Sequence, residues 1–329
     1  AQVRRPGAGA GRPTLVVLVS RFSAPLRLVV AGLLLGAATS LLPFGATAPA
    51  TLRAQAPSAP ATGSTAPLPD VAQLIREVKA GLRTDEELLR QYTFRERRRD
   101  VNVSRLGKVQ FGPWREFEVY PSEVPGETYK RLVAVDGKPL PAAELERRDE
   151  AHRKNVLGRL EQIRVETPPQ KRKRLAKLAK ERQEEQDVID DVFAVYEVRL
   201  LGREMLDGRP TLVTALTPRK NARTKSDAGK FLKKVRGRAW VDEADRQVVR
   251  TELEAVEDIT FGFGLLARMQ KGSTMMFRRT LVNSEIWLPA EAQYRVVGKT
   301  LVFRKFALES TTRFSEYRKF NVSTSEEVG

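Results

Sequence analysis

The stretch Lys234–Asp258, KVRGRAWVDEADRQVVRTELEAVED, reads as two strands joined by a turn. On the outward run Val235, Ala239 and Val241 fall on one face and Arg236, Arg238 and Trp240 on the other. On the return Val249, Leu253 and Ala255 alternate with Arg250, Glu252 and Glu254. A period of two residues marks a pleated strand with one covered face. The short acidic connection Asp242–Arg246 suits a hairpin loop, and Gly237 suggests a bulge or the close approach of another backbone. Alternation puts Trp240 on the polar face, where its ring is expected to lie over Val248, stack on Arg250 and clamp the hairpin. Two strands with one apolar face cannot stand alone in water, so the remaining chain must supply more strands or a helical cover.

Both are readable further out. Val192–Leu201 and Pro210–Leu216, with a turn at Asp207-Gly208, precede the hairpin. Ile259–Met269, Thr274–Asn283, Ile286–Val297 and Leu301–Val322 follow it. Upstream, Tyr92–Val103, Phe111–Tyr120 and Thr128–Val135 read as further strands. Before them Asp70 is a candidate N-cap for a helix carrying Val71, Leu74, Ile75, Val78 and Leu82 at helical spacing. Between the two strand groups, Pro141–Asp191 is dense in mixed charge and carries Leu145, His152, Val156, Leu160 and Ile163 as a helical stripe. Thr167-Pro168-Pro169 breaks that stripe, and Leu175, Leu178 and Ile189 mark a second, weaker one. The fold class expected is therefore α+β. A curved antiparallel sheet, a half-barrel of about ten strands, has helices over its concave face and a charged helical insertion at 141–191 that forms a flap or arm.

The chain of 329 residues carries a net charge of +17 and no cysteine. Disulfides, thiolate zinc sites, a cysteine nucleophile and a lipid-modified cysteine are excluded. No acid precedes Asp70, and Leu26–Leu42, LRLVVAGLLLGAATSLL, is almost continuously apolar or small. Arg21 and Arg27 as a basic n-region, Leu28–Leu35 as the h-region, and Ala48-Pro49-Ala50 or Ala54-Gln55-Ala56 as the cleavage pattern give 1–56 the form of a signal peptide, with a retained membrane anchor as the alternative. The run 57–69, PSAPATGSTAPLP, reads as a flexible tether, 70–322 as a single domain and 323–329 as a tail. The protein is thus expected in the periplasm or cell envelope.

No motif points to catalysis. His152, the only histidine, falls on the apolar stripe between Leu145 and Val156 and reads as a packing residue. Glu184, Glu185, Asp187, Asp190 and Asp191 lie among lysines and arginines and read as a solvated helix face rather than a calcium loop. Phe261-Gly262-Phe263-Gly264 lacks the lysine of a phosphate loop. No catalytic residue, metal site or cofactor is expected. Lys171, Arg172, Lys173, Arg174, Lys177 and Lys180, with the loop carrying Arg219, Lys220, Arg223 and Lys225, suit an anionic partner. Export would remove genomic nucleic acid as that partner and leave an anionic membrane surface or an envelope polyanion.

The order of helix, strands, helical insertion and closing strands, with the words LGREMLDGRPTLV at Leu201–Val213 and GRAWVD at Gly237–Asp242, resembles the exported LolA-like proteins, which include the outer-membrane lipoprotein carriers. The resemblance covers about Asp70 to Val322. It implies a non-enzymatic protein with an apolar cavity between sheet and helices that holds a lipid or acyl chains. Ala239, Val241, Val249, Leu253, Tyr294, Val296, Phe306 and Leu308 alternate onto apolar faces and are the expected lining. The competing expectation is a basic structural or interaction protein that docks on an anionic membrane or an envelope partner and carries no ligand.

Overall fold

The computed structural model describes residues 67–82, 88–89, 91–103, 109–124, 127–261, 267–300 and 305–320. The leader expected over 1–56 and most of the tether lie outside them. The elements are α1 (Val71–Gly81), β1 (Tyr92–Val103), β2 (Val109–Pro121), β3 (Thr128–Val135), β4 (Lys138–Pro139), α2 (Ala142–Arg164), α3 (Pro168–Val195), β5 (Tyr196–Leu206), β6 (Arg209–Pro218), α4 (Asp227–Leu232), β7 (Val235–Asp242), β8 (Val248–Ala255), β9 (Ile259–Phe261), β10 (Ala267–Met269), β11 (Thr274–Val282), β12 (Ile286–Thr300) and β13 (Lys305–Lys319). Among the described residues the strands form one open antiparallel sheet, in the order β4-β3-β2-β1-β13-β12-β11-β8-β7-β6-β5, with β9 and β10 attached beside β12. The fold is α+β, as the alternation predicts.

The register sorts the side chains into two faces. Leu216, Gly237, Leu253, Met275, Tyr294 and Ser310 are successive partners across six strands. This row belongs to the face on which α1, α3 and α4 pack, whereas α2 meets Tyr129 and Arg131 of β3, which the register places on the opposite face. Val195 at the end of α3 and Phe231 and Leu232 of α4 lie in one cluster with Val235, Leu253, Ala255, Met275 and Tyr294. At the other end of the same face, Phe94, Phe117, Val119 and Phe314 form a second core. Gly237 is the close approach anticipated. A Cβ there would stand 1.8 Å from the Glu252 carbonyl oxygen and 2.8 Å from a methyl of Leu253, so only glycine lets β7 and β8 come this near while Leu253 closes over them.

Local chemistry sets the helix ends. The Asp70 carboxylate accepts the Gln73 amide at 2.8 Å, as expected of an N-cap. Gln170 accepts the Thr167 amide at 2.8 Å, with Pro168 and Pro169 in the first turn of α3. At the far end of α3 the Arg219 guanidinium donates to the Phe193 and Ala194 carbonyls, both at 3.0 Å. Arg219, one of the cations of the basic loop, is therefore a helix cap. Asp191 accepts the Lys225 and Ser226 amides and the Ser226 hydroxyl at 2.9, 2.8 and 2.6 Å, and thereby fixes the start of α4. The carboxylate run thus departs from the solvated face expected: Asp191 is buried and ties α3 to α4.

Two strand boundaries differ from expectation. Val192–Val195 belong to α3 rather than to the strand read over Val192–Leu201, because Val188, Val192 and Val195 recur at helical spacing towards the core. The strand expected over Ile259–Met269 is two short ones, β9 and β10. β11 pairs β12 only as far as Arg295, and β10 takes up Gly298–Thr300 beyond it. Residues 262–266, which include part of the Phe-Gly-Phe-Gly run, lie outside the described set.

The helical insertion joins the two edges of the sheet, since α2 follows β4 and α3 leads into β5. α2 docks on β3. The His152 ring stacks on Tyr129 at 3.7 Å with 6° between the planes, Asp149 accepts the Tyr129 hydroxyl at 2.7 Å, and Arg131 donates to both Asp149 oxygens. Arg131, followed by Tyr129, holds the Asp149 carboxyl below its ordinary range. His152 thus has the packing role read from the stripe, although it rests on an aromatic ring of the sheet.

Candidate functional site

The residues expected to line a cavity divide between the two faces. Ala239, Val241, Leu253 and Tyr294 lie on the helix-covered face and are at most 6% exposed. Val296 packs against the cluster that holds Leu253 and Tyr294, and Leu308 is its partner on β13. Phe306 pairs with Gly298, and its side chain lies outside the described set. Val249 sits on the opposite face. Trp240 pairs with Arg250 but Val241 pairs with Val248, so Val249 is the extra residue of a bulge. Strict alternation fails there, and Val249 packs with Val213 and Trp240 while Val248 turns to the helix side.

Over Val241 lies α1. Its buried residues are Leu74 and Val78, which form a cluster with Leu212 and Val241, with Phe193, Leu200 and Val248 at the margin. Polar contacts hold the rim: Arg246 donates to Glu77 at 2.8 Å, Gln247 to the Gly81 carbonyl at 3.2 Å, and Lys79 to Asp190 at 3.1 Å. Hydrogen bonds from Lys225 and then Lys79 hold the Asp190 carboxyl down at about 2. The helix is a small cover. It seals an apolar patch with two side chains and is fastened by exposed ion pairs, each of which contributes about 0–1 kcal/mol.

The other face is a ladder of charge. Arg236, Glu254, Thr274, Arg295 and Glu309 are successive partners across five strands. Arg236 meets Glu254 at 3.1 Å and Arg238 meets Glu252 at 3.4 Å. A trough of about 740 Å³ runs over these rows, walled by Arg236, Arg238, Glu252, Glu254, Arg295 and Glu309. Leu216, Met275, Met276 and Tyr294 also contribute to its lining, so the trough is of mixed character.

Sequence reading missed the knot that joins its own two most distinctive words. Arg209 donates to the two Asp242 oxygens at 2.6 and 2.9 Å, the Trp240 indole N–H donates to Glu204 at 2.8 Å, and Arg203 grips Glu243. Burial pushes Asp242 up, but Arg209 and the Asp245 and Ala244 amides outweigh it and keep the carboxyl low. The sequence did show Asp242 at the start of a polar turn and Arg209 beside Asp207-Gly208, yet spacing alone does not bring two turns together. Trp240 stacks between Arg250 at 5.0 Å and Arg238 at 5.2 Å. The stacking on Arg250 is as expected. Val248 is not beneath the ring, and the indole is 4% exposed because Val213, Val249, Leu206 and Trp287 close around it.

Among the described residues no group of three or more His, Asp or Glu is placed to hold a metal ion, and no helix is long and apolar enough to cross a membrane. The six cations read as an anionic contact all lie on the first half of α3. Arg174 pairs with Glu166 at 2.7 Å, while Lys177 and Lys180 stand 3.7 Å from Glu181 and Glu184. Lys171, Arg172 and Lys173 are exposed.

No family model and no curated protein matches the sequence. Solved structures similar to the chain include a DUF1329 family protein from Desulfovibrio piger, at 12% identity over 77% of this chain and 92% of that one, with a TM-score of 0.28. A domain assigned to outer-membrane lipoprotein sorting, from Vibrio parahaemolyticus, matches at 10% identity over 77% and 93%, with a TM-score of 0.27. A LolA-superfamily protein from Nitrosomonas europaea matches at 9% identity over 76% and 93%, with a TM-score of 0.25. Alignments of that quality assign no activity to this chain.

Proposed function

We propose that the chain is an exported, non-enzymatic, LolA-like protein of the cell envelope that binds a lipid or acylated ligand between α1 and the apolar face of its sheet. The observation that carries this reading is the thin cover over Leu212 and Val241, to which α1 contributes only Leu74 and Val78 as buried side chains. Burying a leucine and a valine stabilises the closed state by about 3–6 kcal/mol in all, and an acyl chain recovers that with roughly eight methylenes at about 0.8 kcal/mol each. A fatty chain can therefore displace α1 without loss of apolar burial, and the exposed ion pairs at the rim add little resistance.

Extraction of the purified protein followed by mass spectrometry should show co-purified lipid, and a fluorescent fatty acid should bind. Leu74→Ala, which loosens the cover, should speed uptake of that fatty acid. Gln247→Ala, which removes the hydrogen bond from the sheet to the Gly81 carbonyl at the end of α1, should likewise speed uptake. Absence of both bound lipid and fatty-acid binding, in the wild type and in Leu74→Ala, would overturn the proposal.

A further inference from the structure

α3 has a half that rests on the protein and a half that does not. Its buried residues, Val188, Asp191 and Val195, all fall in the last eight positions, and the stretch from Pro168 to Asp187 has none. At 1.5 Å per residue that stretch is about 30 Å of helix. α2 rests on β3 and buries Val156 alone, and α3 rests on α4 and β5, so the elbow between them at Val165–Thr167 stands clear of the sheet. The elbow is both apolar and cationic. Val165 is 59% exposed and Leu175 48%, while Lys171, Arg172 and Lys173 form no ion pair among the described residues.

Lys171 closes the first turn of the helix and Arg172 and Lys173 open the second, near the end where the macrodipole is positive; the first turn holds no acid, and Glu166 just before it is paired with Arg174. A capping box and two prolines, rather than favourable charge, start the helix. Lys171, Leu175 and Arg182 are spaced by four and seven residues and so share one side of α3, which presents an apolar side chain between two positive ones. That is the pattern of an element lying in a lipid–water interface: the leucine enters the acyl boundary and the long basic side chains reach the headgroups. A single-stranded nucleic acid would call for aromatic platforms, and Val165–Arg182 has no aromatic residue.

We propose that this elbow, Val165–Arg182, docks the protein on the surface of an anionic phospholipid bilayer. Lys171, Arg172 and Lys173 meet the headgroup phosphates, and Leu175 and Val165 enter the interface. The docking is independent of ligand binding under α1, so vesicle binding and fatty-acid uptake can fail separately.

The test is flotation of the whole protein with vesicles of phosphatidylglycerol and phosphatidylcholine in equal parts, against vesicles of phosphatidylcholine alone. The triple variant Lys171→Gln, Arg172→Gln, Lys173→Gln should lose about a hundredfold in partitioning, since each cation near an anionic surface contributes roughly a fivefold factor. Removing positive charge from a helix N-terminus should leave the melting temperature unchanged or raised, so lost binding cannot be blamed on misfolding. Leu175→Ala should weaken binding several-fold even in high salt, and Leu175→Trp should show a blue-shifted emission on the anionic vesicles only. Equal binding to both vesicle types, or a triple variant that binds like the wild type, would overturn the proposal. So would full retention on a soluble polyanion such as polyglutamate with no binding to vesicles, which would make the occupant an acidic polymer.

Discussion

The same strands carry two faces of different chemistry. Leu253, Met275 and Tyr294 lie under helices on one face, and one residue along each strand Glu254, Thr274 and Arg295 face away from them. Burial of the first set removes apolar surface from water at about 25 cal/mol per Å². The second set forms half-exposed cross-strand pairs that contribute a few tenths of a kcal/mol each. The apolar face therefore stabilises the sheet, whereas the charged face is free to vary provided its signs alternate.

Trp240 is the sharpest challenge to that division, because it lies on the charged face and is nonetheless 4% exposed. Trp240→Ala should cost about 3–5 kcal/mol, comparable with about 2–5 kcal/mol for Leu212→Ala on the helix side. Chemical unfolding monitored by circular dichroism would compare them, and a loss under 1 kcal/mol for Trp240→Ala would restore a plain two-face division. Fatty-acid binding per folded molecule should be unchanged in Trp240→Ala.

A smaller effect is expected at the rim of the apolar face. Asp190, held at about 2 against an ordinary 3.8, has a depressed pKa. Its contribution is complete above the ordinary value and is lost as the pH falls through the folded one. Hydrogen exchange of the α1 amides should accelerate between about pH 4 and pH 2 before the sheet amides respond, and Asp190→Asn should remove that step. Simultaneous exchange of α1 and the sheet would show that α1 is no separate cover.

The smallest effect belongs to the charged ladder. Arg236→Gln should change stability by no more than about 0.5 kcal/mol, since its pair with Glu254 is more than half exposed on the arginine side. A loss above 1 kcal/mol in thermal unfolding would mean that the ladder acts as a network rather than as single pairs.

Much of this contrast is written in the sequence, because alternation and helical spacing are local signals. The N-cap at Asp70, the stripe through His152 and the faces of Ala239, Val241 and Leu253 can be read without a structure. Three features cannot. Val249 looks inward until the bulge at Trp240–Val241 reverses it, and a bulge inserts a residue with no compositional mark. Val192–Tyr196 combines β-branched and aromatic residues that suit a strand, yet Val188 and Val195 pack as the end of a helix. Asp191 sits in a run of acids that spacing does not distinguish, and it is buried because Ser226, 35 residues on, comes back to meet it. Of the candidate site, the apolar sheet residues were legible, whereas the thinness of their α1 cover depends on distant partners such as Arg246 and Asp190.

The pairing of β1 with β13 also bears on the timing of assembly. Among the described residues, strands β1 to β4 reach the remainder of the sheet through β13 alone, with Tyr92 opposite Lys319. Until residue 319 has emerged, the first strands have no partner on their inner side, and the contact that must then form spans more than two hundred residues, which makes it slow. A chain cut before Lys305 should leave two incomplete sheets rather than one slightly smaller one. Such a chain would keep the inner edge of β1 unpaired, and an open strand edge of that length invites pairing with another chain.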